Sequence, residues 1–130
     1  MKERLPREEF YAIVLDSLSD GFHLLNANDI RLEYSPQDYA LAKQELMEEN
    51  HDKNVLCFED VLMKMLKMGK TLSLRDLETD DVDEFTLESM YDKSISVDAR
   101  IIEEILNEEG DAITYDHFIQ CCVYGEVVYG

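Results

Sequence analysis

Apolar residues recur along this chain mostly at helical spacing. Phe10, Ile13, Val14 and Leu18 follow Pro6, whose fixed φ suits a first helical turn, and Gly21 can end that helix in the left-handed conformation. "SPQD" at 35–38 marks a second start, with Ser35 as N-cap, Pro36 behind it and Asp38 in the first turn. Tyr34 and Tyr39 occupy the two positions of a hydrophobic staple around it. From Val55 to Met68, Phe58, Val61, Leu62, Met65 and Leu66 form one stripe, with Asn54 as cap, Gly69 as stop and Lys64, Lys67 and Lys70 at the end.

The later stretches predict three more helices. One starts after Thr79 and turns Val82, Phe85 and Met90 inward. Another is capped by Ser96, with Ile101, Ile102, Ile105 and Leu106 as its apolar face, and the last starts after Thr114 and buries Tyr115, Phe118, Ile119, Cys122 and Val123. Alternation is short. Ile30, Leu32 and Tyr34 share a face of "IRLEY", and "TLSL" at 71–74 and "EVVY" at 126–129 are two further strand candidates. The expectation is a mainly α, single domain over 1–130, of five to six helices, with room for a small two- or three-stranded sheet.

Composition narrows the class. At 130 residues a single core needs no staples. Three cysteines, Cys57, Cys121 and Cys122, form no paired framework, and two are adjacent, which points to free thiols in a reducing, cytoplasmic setting. No signal-peptide pattern is visible, and charges interrupt every apolar cluster, so no membrane span is expected.

Charge changes the picture most. Thirty acids against twelve Lys and Arg give a net charge of −18, with fourteen acids and nine bases in residues 1–70 but sixteen acids and three bases in 71–130. Such a field repels phosphate backbones and anionic lipids, which disfavours direct nucleic acid or membrane binding and favours a basic protein partner. Acidity that serves solubility alone, with self-association of the domain, is the plainer alternative. The stretch "DLETDDVDEFTLESMYD" at 76–92 holds eight acids and no Lys or Arg. Asp80 and Asp81 fit an acidic first turn after Thr79, while Asp83, Glu84, Glu88 and Asp92 exceed what a cap needs. These six, with Phe85, Met90 and Tyr91 among them, are the candidate partner-binding residues.

Two metal or catalytic patterns compete with them. "ILNEEGDAITYDHFIQCC" at 105–122 resembles the second half of an EF-hand, with a Gly, an Ile and an aromatic residue entering a helix. Calcium needs oxygens at the first, third and fifth loop positions, Gly at the sixth and a bidentate Glu at the twelfth. Anchored on Ile113, the loop begins at Leu106, and Asp111 and His117 replace the Gly and the Glu; anchored on Gly110, it begins at Ile105 and ends at Asp116. Neither register builds an oxygen cage, and Thr114 as N-cap with Ile113 and Phe118 as staple explains the likeness as helix initiation without metal. His117 and Cys121 share a helix face and could be half a zinc site or a thiol beside a base, but no second pair completes either, so both read as ordinary helix-surface residues. Cys57 and Cys122 read as small core residues.

Gly-rich phosphate loops and hydrolase signatures are missing from the sequence. The expectation is a non-enzymatic, cofactor-free acidic protein that binds a basic protein surface. In size and charge it resembles immunity proteins, DNA-mimic inhibitors and small accessory proteins of phage or mobile elements. Alternatives are a degenerate EF-hand-like module that binds no calcium, or a small enzyme using His117 and Cys121.

Overall fold

A computed structural model describes residues 4–49 and 57–130. Their elements run in the order α1 (Arg7–Asp20), α2 (His23–Ala27), β1 (Ile30–Glu33), α3 (Pro36–Glu49), α4 (Phe58–Lys67), β2 (Leu72–Asp76), β3 (Val82–Phe85), α5 (Leu87–Lys93), α6 (Ala99–Leu106) and α7 (Ala112–Tyr124). Helix dominates as expected, in six helices of seven residues or more plus the one-turn α2, beside a three-stranded antiparallel sheet ordered β1-β2-β3.

Helix α7 is the hub. It packs against α1, α2, α5 and α6 and touches β3, and eight of its residues from Thr114 to Val123 are buried. A helix covered on all sides must be apolar all round or satisfy its polar groups internally. Here Phe118, Ile119, Cys122 and Val123 supply the apolar part, and the fully buried Asp116 and Gln120 are hydrogen-bonded. Phe10 of α1 joins Phe118 and Tyr91 in an aromatic cluster, with ring centroids 6.0 and 5.0 Å away. Ile30, Leu72, Leu74 and Phe85 bring the sheet onto the same core.

Several boundaries match the sequence reading. Ser35 accepts the Asp38 N–H at 3.3 Å, Tyr34 and Tyr39 stack at 5.1 Å, and Gly69 leaves α4 at φ 81°. Asn54 and Val55 lie outside the described residues, and α4 starts at Phe58 with Cys57, not Asn54, at its N-cap, where Asp60 accepts the Cys57 N–H at 3.3 Å.

Other boundaries move, each for a local reason. No helix follows Thr79. Asp76 accepts the Glu78 N–H (2.8 Å), Thr79 Oγ1 accepts the Asp81 N–H (3.2 Å) and Asp80 sits at φ 63°, so side chains of Asp and Thr close a turn instead of starting a helix. Residues 82–85 are strand β3, Val82 stays 41% exposed, and the helix starts only after Thr86, whose side chain exchanges capping bonds with Ser89. Asp98 replaces Ser96 as the cap of α6. Asp111 replaces Thr114 as the cap of α7, and Ile113, 47% exposed, is no staple.

Gly21 has an ordinary φ of −96°. It is required by space, since a Cβ there would lie 2.5 Å from the Ser17 carbonyl oxygen and 3.1 Å from that of Tyr115. Pro6 caps α1 from just outside the helix. Phe58 is 46% exposed and packs against the tilted rings of Tyr34 and Tyr39 instead of joining the core, and Leu106 is exposed too. The stretch 126–129 pairs with no strand; after Gly125 ends α7 at φ 85°, it runs as an extended tail held by Gln120, whose Oε1 accepts the N–H groups of Val128 (2.9 Å) and Tyr129 (2.8 Å). No helix among the described residues is long and apolar enough to cross a membrane.

Candidate functional site

The acidic stretch is the β2–β3 hairpin and the helix after it. The register pairs Leu72 with Phe85, Ser73 with Glu84, Leu74 with Asp83 and Arg75 with Val82. Cross-strand partners share a face and neighbours alternate, so Asp83 lies on the core-facing side with Leu74, and Glu84 on the opposite, open side with Ser73. Asp80 and Asp81 lie in the connecting turn, and Glu88 and Asp92 one helical turn apart on α5. The six candidate residues therefore do not share one face. The hairpin gathers Asp80, Asp81, Asp83 and Glu84, while α5 carries Glu88 and Asp92 separately.

Their electrostatic surroundings differ as well. Glu88 binds Arg7 with both oxygens (2.8 and 3.3 Å), and that pairing raises the Arg7 guanidinium pKa still further. Arg7 also lies over the Tyr91 ring at 4.3 Å, Tyr91 donates its hydroxyl proton to the Leu5 carbonyl (2.8 Å), and Arg4 reaches the carbonyl of Asp92. These contacts tie the N-terminal segment to α5, so Glu88 is already engaged by a cation of its own chain. Asp80 lies 3.8 Å from Arg75, whose Nε donates to Glu33 at 2.7 Å. Among the described residues no ion pair involves Asp81, Asp83 or Glu84.

Two neighbourhoods extend the hairpin. On the core-facing side, burial and then the carboxylate of Asp83 push the Tyr124 phenol pKa well above its usual range, and burial with Asp76, Asp83 and Glu78 raises that of Tyr129. The two rings meet edge to face at 6.5 Å. Glu84, on the open side, lines a shallow concavity of about 650 Å³ with Glu33, Tyr34, Asp38 and Ser73. The sequence reading missed Asp76, Glu33, Tyr124 and Tyr129 as neighbours of the hairpin.

The other constellations resolve differently from expectation. Cys121 is buried in the hub helix, and His117 is half-buried with its Nε2 enclosed and unpartnered among the described residues, so neither is an ordinary surface residue. His117 lines an open groove of about 440 Å³ with Glu104, Asp111 and Ile113. Asp111 is committed to capping: it accepts the Thr114 N–H at 3.0 Å, which lowers its pKa. Among the described residues no three His, Cys, Asp or Glu side chains are placed to hold a metal ion. Cys122 is core, with its thiol pKa raised by burial, whereas Cys57 is exposed and its thiol is raised chiefly by Glu59. No family model, curated protein or solved structure matches the chain.

Proposed function

We propose that this is a non-enzymatic, cytoplasmic acidic protein that docks a basic surface of a protein partner through the β2–β3 hairpin, as an inhibitor, immunity or accessory protein would. The observation that carries the reading is the pairing pattern. Among the described residues Arg7, Arg31, Lys64, Lys70 and Arg75 are engaged with other carboxylates, Asp80 included, while the exposed Asp81, Asp83 and Glu84 take part in no ion pair. A partner cation meeting them displaces no internal partner. The net charge of −18 steers such a partner in and opposes direct contact with nucleic acid. Exposed Leu77 and Val82 and the neighbouring Tyr129 offer apolar and aromatic contact beside the charges. No disulfide joins Cys57, Cys121 or Cys122 among the described residues, which supports a reducing compartment.

The test compares partner capture from the native host by the natural chain and by a D80N/D81N/D83N/E84Q variant, at low and moderate salt. Glu88 is left intact because it anchors Arg7. The reading expects a basic protein captured by the natural chain and not by the variant, with association slowing as the Debye length falls from about 30 Å at 0.01 M to about 8 Å at 0.15 M. A partner that associates equally well with both chains across that range would sink it.

A further inference from the structure

The ladder bonds of the hairpin fix which main-chain groups of β3 are free. Asp76 N–H donates to the Asp81 carbonyl at 2.9 Å, which sets the phase of the pairing. In an antiparallel ladder successive residues turn their N–H and C=O to opposite sides. Asp81, Asp83 and Phe85 therefore point at β2, and Val82 and Glu84 point away from the sheet. No hydrogen bond among the described residues reaches the outward groups of Val82 or Glu84, and residues 82–84 are exposed. Among the described residues no further strand pairs with β3.

The opposite edge is partly covered. On β1 the same phase argument, from the Leu77 N–H to Asp29 carbonyl bond at 2.9 Å, turns Ile30 and Leu32 outward. There the Arg31 guanidinium folds back onto the carbonyls of Ile30 (3.2 Å) and Asn26 (2.9 Å), and α2 packs alongside. Arg31 and α2 blunt the β1 edge, whereas α7 touches β3 but leaves residues 82–84 exposed. Open edges accept strands, and the charge around this one selects which strand.

We infer that the free edge of β3 takes up an extended, basic segment of the partner as a fourth strand, an inference that rests on the acidic docking proposed above. Val82 and Glu84 supply the main-chain bonds. Asp83 on one face and Glu84 on the other stand beside alternate side chains of the incoming strand, so Lys or Arg can be met on both faces, while Val82 offers an apolar contact. A second copy of this chain is a poor occupant, because its own edge carries the same carboxylates and the two chains repel at −18 each.

Two probe peptides separate main-chain pairing from charge. One is a Lys/Val-alternating octapeptide; the other has the same sequence and charge but is N-methylated at alternate amides. Calorimetry and amide exchange on the intact protein are expected to show the unmethylated peptide binding about tenfold tighter or more, the worth of one to two net hydrogen bonds. It should also slow exchange at the Val82 and Glu84 amides. A Val82→Pro variant, which keeps the net charge and loses no ladder bond to β2, should weaken the unmethylated peptide to the level of the methylated one.

Equal binding of both peptides without amide protection would overturn strand addition and leave charge docking standing. Binding of neither peptide at low salt would overturn both. Protection of the same amides that grows with protein concentration in the absence of peptide would show a second copy as the occupant and overturn the inference.

Discussion

Asp116 and the hairpin carboxylates show two opposite uses of the same chemical group. Asp116 is fully buried on α7, yet every direction around it is answered: Oδ2 accepts the N–H groups of Leu24 (2.9 Å) and Leu25 (3.3 Å) at the start of α2, and Oδ1 accepts the Gln120 side-chain amide at 2.7 Å. A carboxylate at a helix N-terminus meets unsatisfied donors and the positive end of the dipole together. Asp81, Asp83 and Glu84 are exposed, and among the described residues no side chain donates to them or pairs with them. A buried acid must be satisfied by its own chain, so it belongs to the fold. An exposed acid without an internal partner costs the fold little and stays available to another molecule.

The largest expected effect comes from removing the buried acid. Asp116→Ala leaves the Leu24 and Leu25 N–H groups and the Gln120 amide without their acceptor, and should lower unfolding free energy by about 2–4 kcal/mol in urea titrations. Asp116→Asn should also destabilise. Gln120 is held in one orientation by Val128 and Tyr129, so an asparagine that keeps its oxygen toward α2 sets its NH₂ against that of Gln120. A stability change in either variant no larger than that of the hairpin variants would break the contrast.

Gln120→Leu should cost less, about 1–2 kcal/mol, because the tail N–H groups can turn to water and Asp116, though it loses the donor to Oδ1, keeps those of Leu24 and Leu25 on Oδ2. Its signature would be faster amide exchange at Val128 and Tyr129 with the rest of α7 still protected. Asp16 is an intermediate case: burial and the nearby Asp20 raise its pKa, and no ion pair involves it among the described residues. A raised folded-state pKa means the ionised form is the strained one. Stability should fall as pH rises from the ordinary carboxylate range through the raised value, and Asp16→Asn should remove that fall and raise the melting temperature at neutral pH. The smallest effect on the fold belongs to D80N/D81N/D83N/E84Q, expected to melt no lower than the natural chain because it relieves self-repulsion.

Periodic helices were legible in the sequence wherever one face alone is buried. The stripe of α4 at Val61, Leu62, Met65 and Leu66 is an example. Helix α7 hides its logic, because burial on all sides leaves Asp116 and Gln120 looking like surface positions until their partners on α2 and the tail are seen. The hairpin was misread for a different reason. Acids after Thr79 look like a helical first turn, and only the competing side-chain bonds of Asp76 and Thr79 with the left-handed Asp80 select the turn. The cluster of candidate acids could be read from composition. Its division between an unpaired hairpin and an Arg7-bound Glu88 could not, since that depends on where an N-terminal arginine lands.

The strand register also sets an order of events during folding. Arg75 meets Val82 across a short turn, whereas the same Arg75 meets Arg31 only after α3 and α4 have brought distant parts of the chain together. Closing the longer loop costs more chain entropy before any contact rewards it, so β2–β3 can form as a local hairpin while β1 joins late. In that interval both sides of the hairpin are open, and the carboxylates along 80–84 would keep the half-built sheet from sticking to its neighbours on the way to the native state.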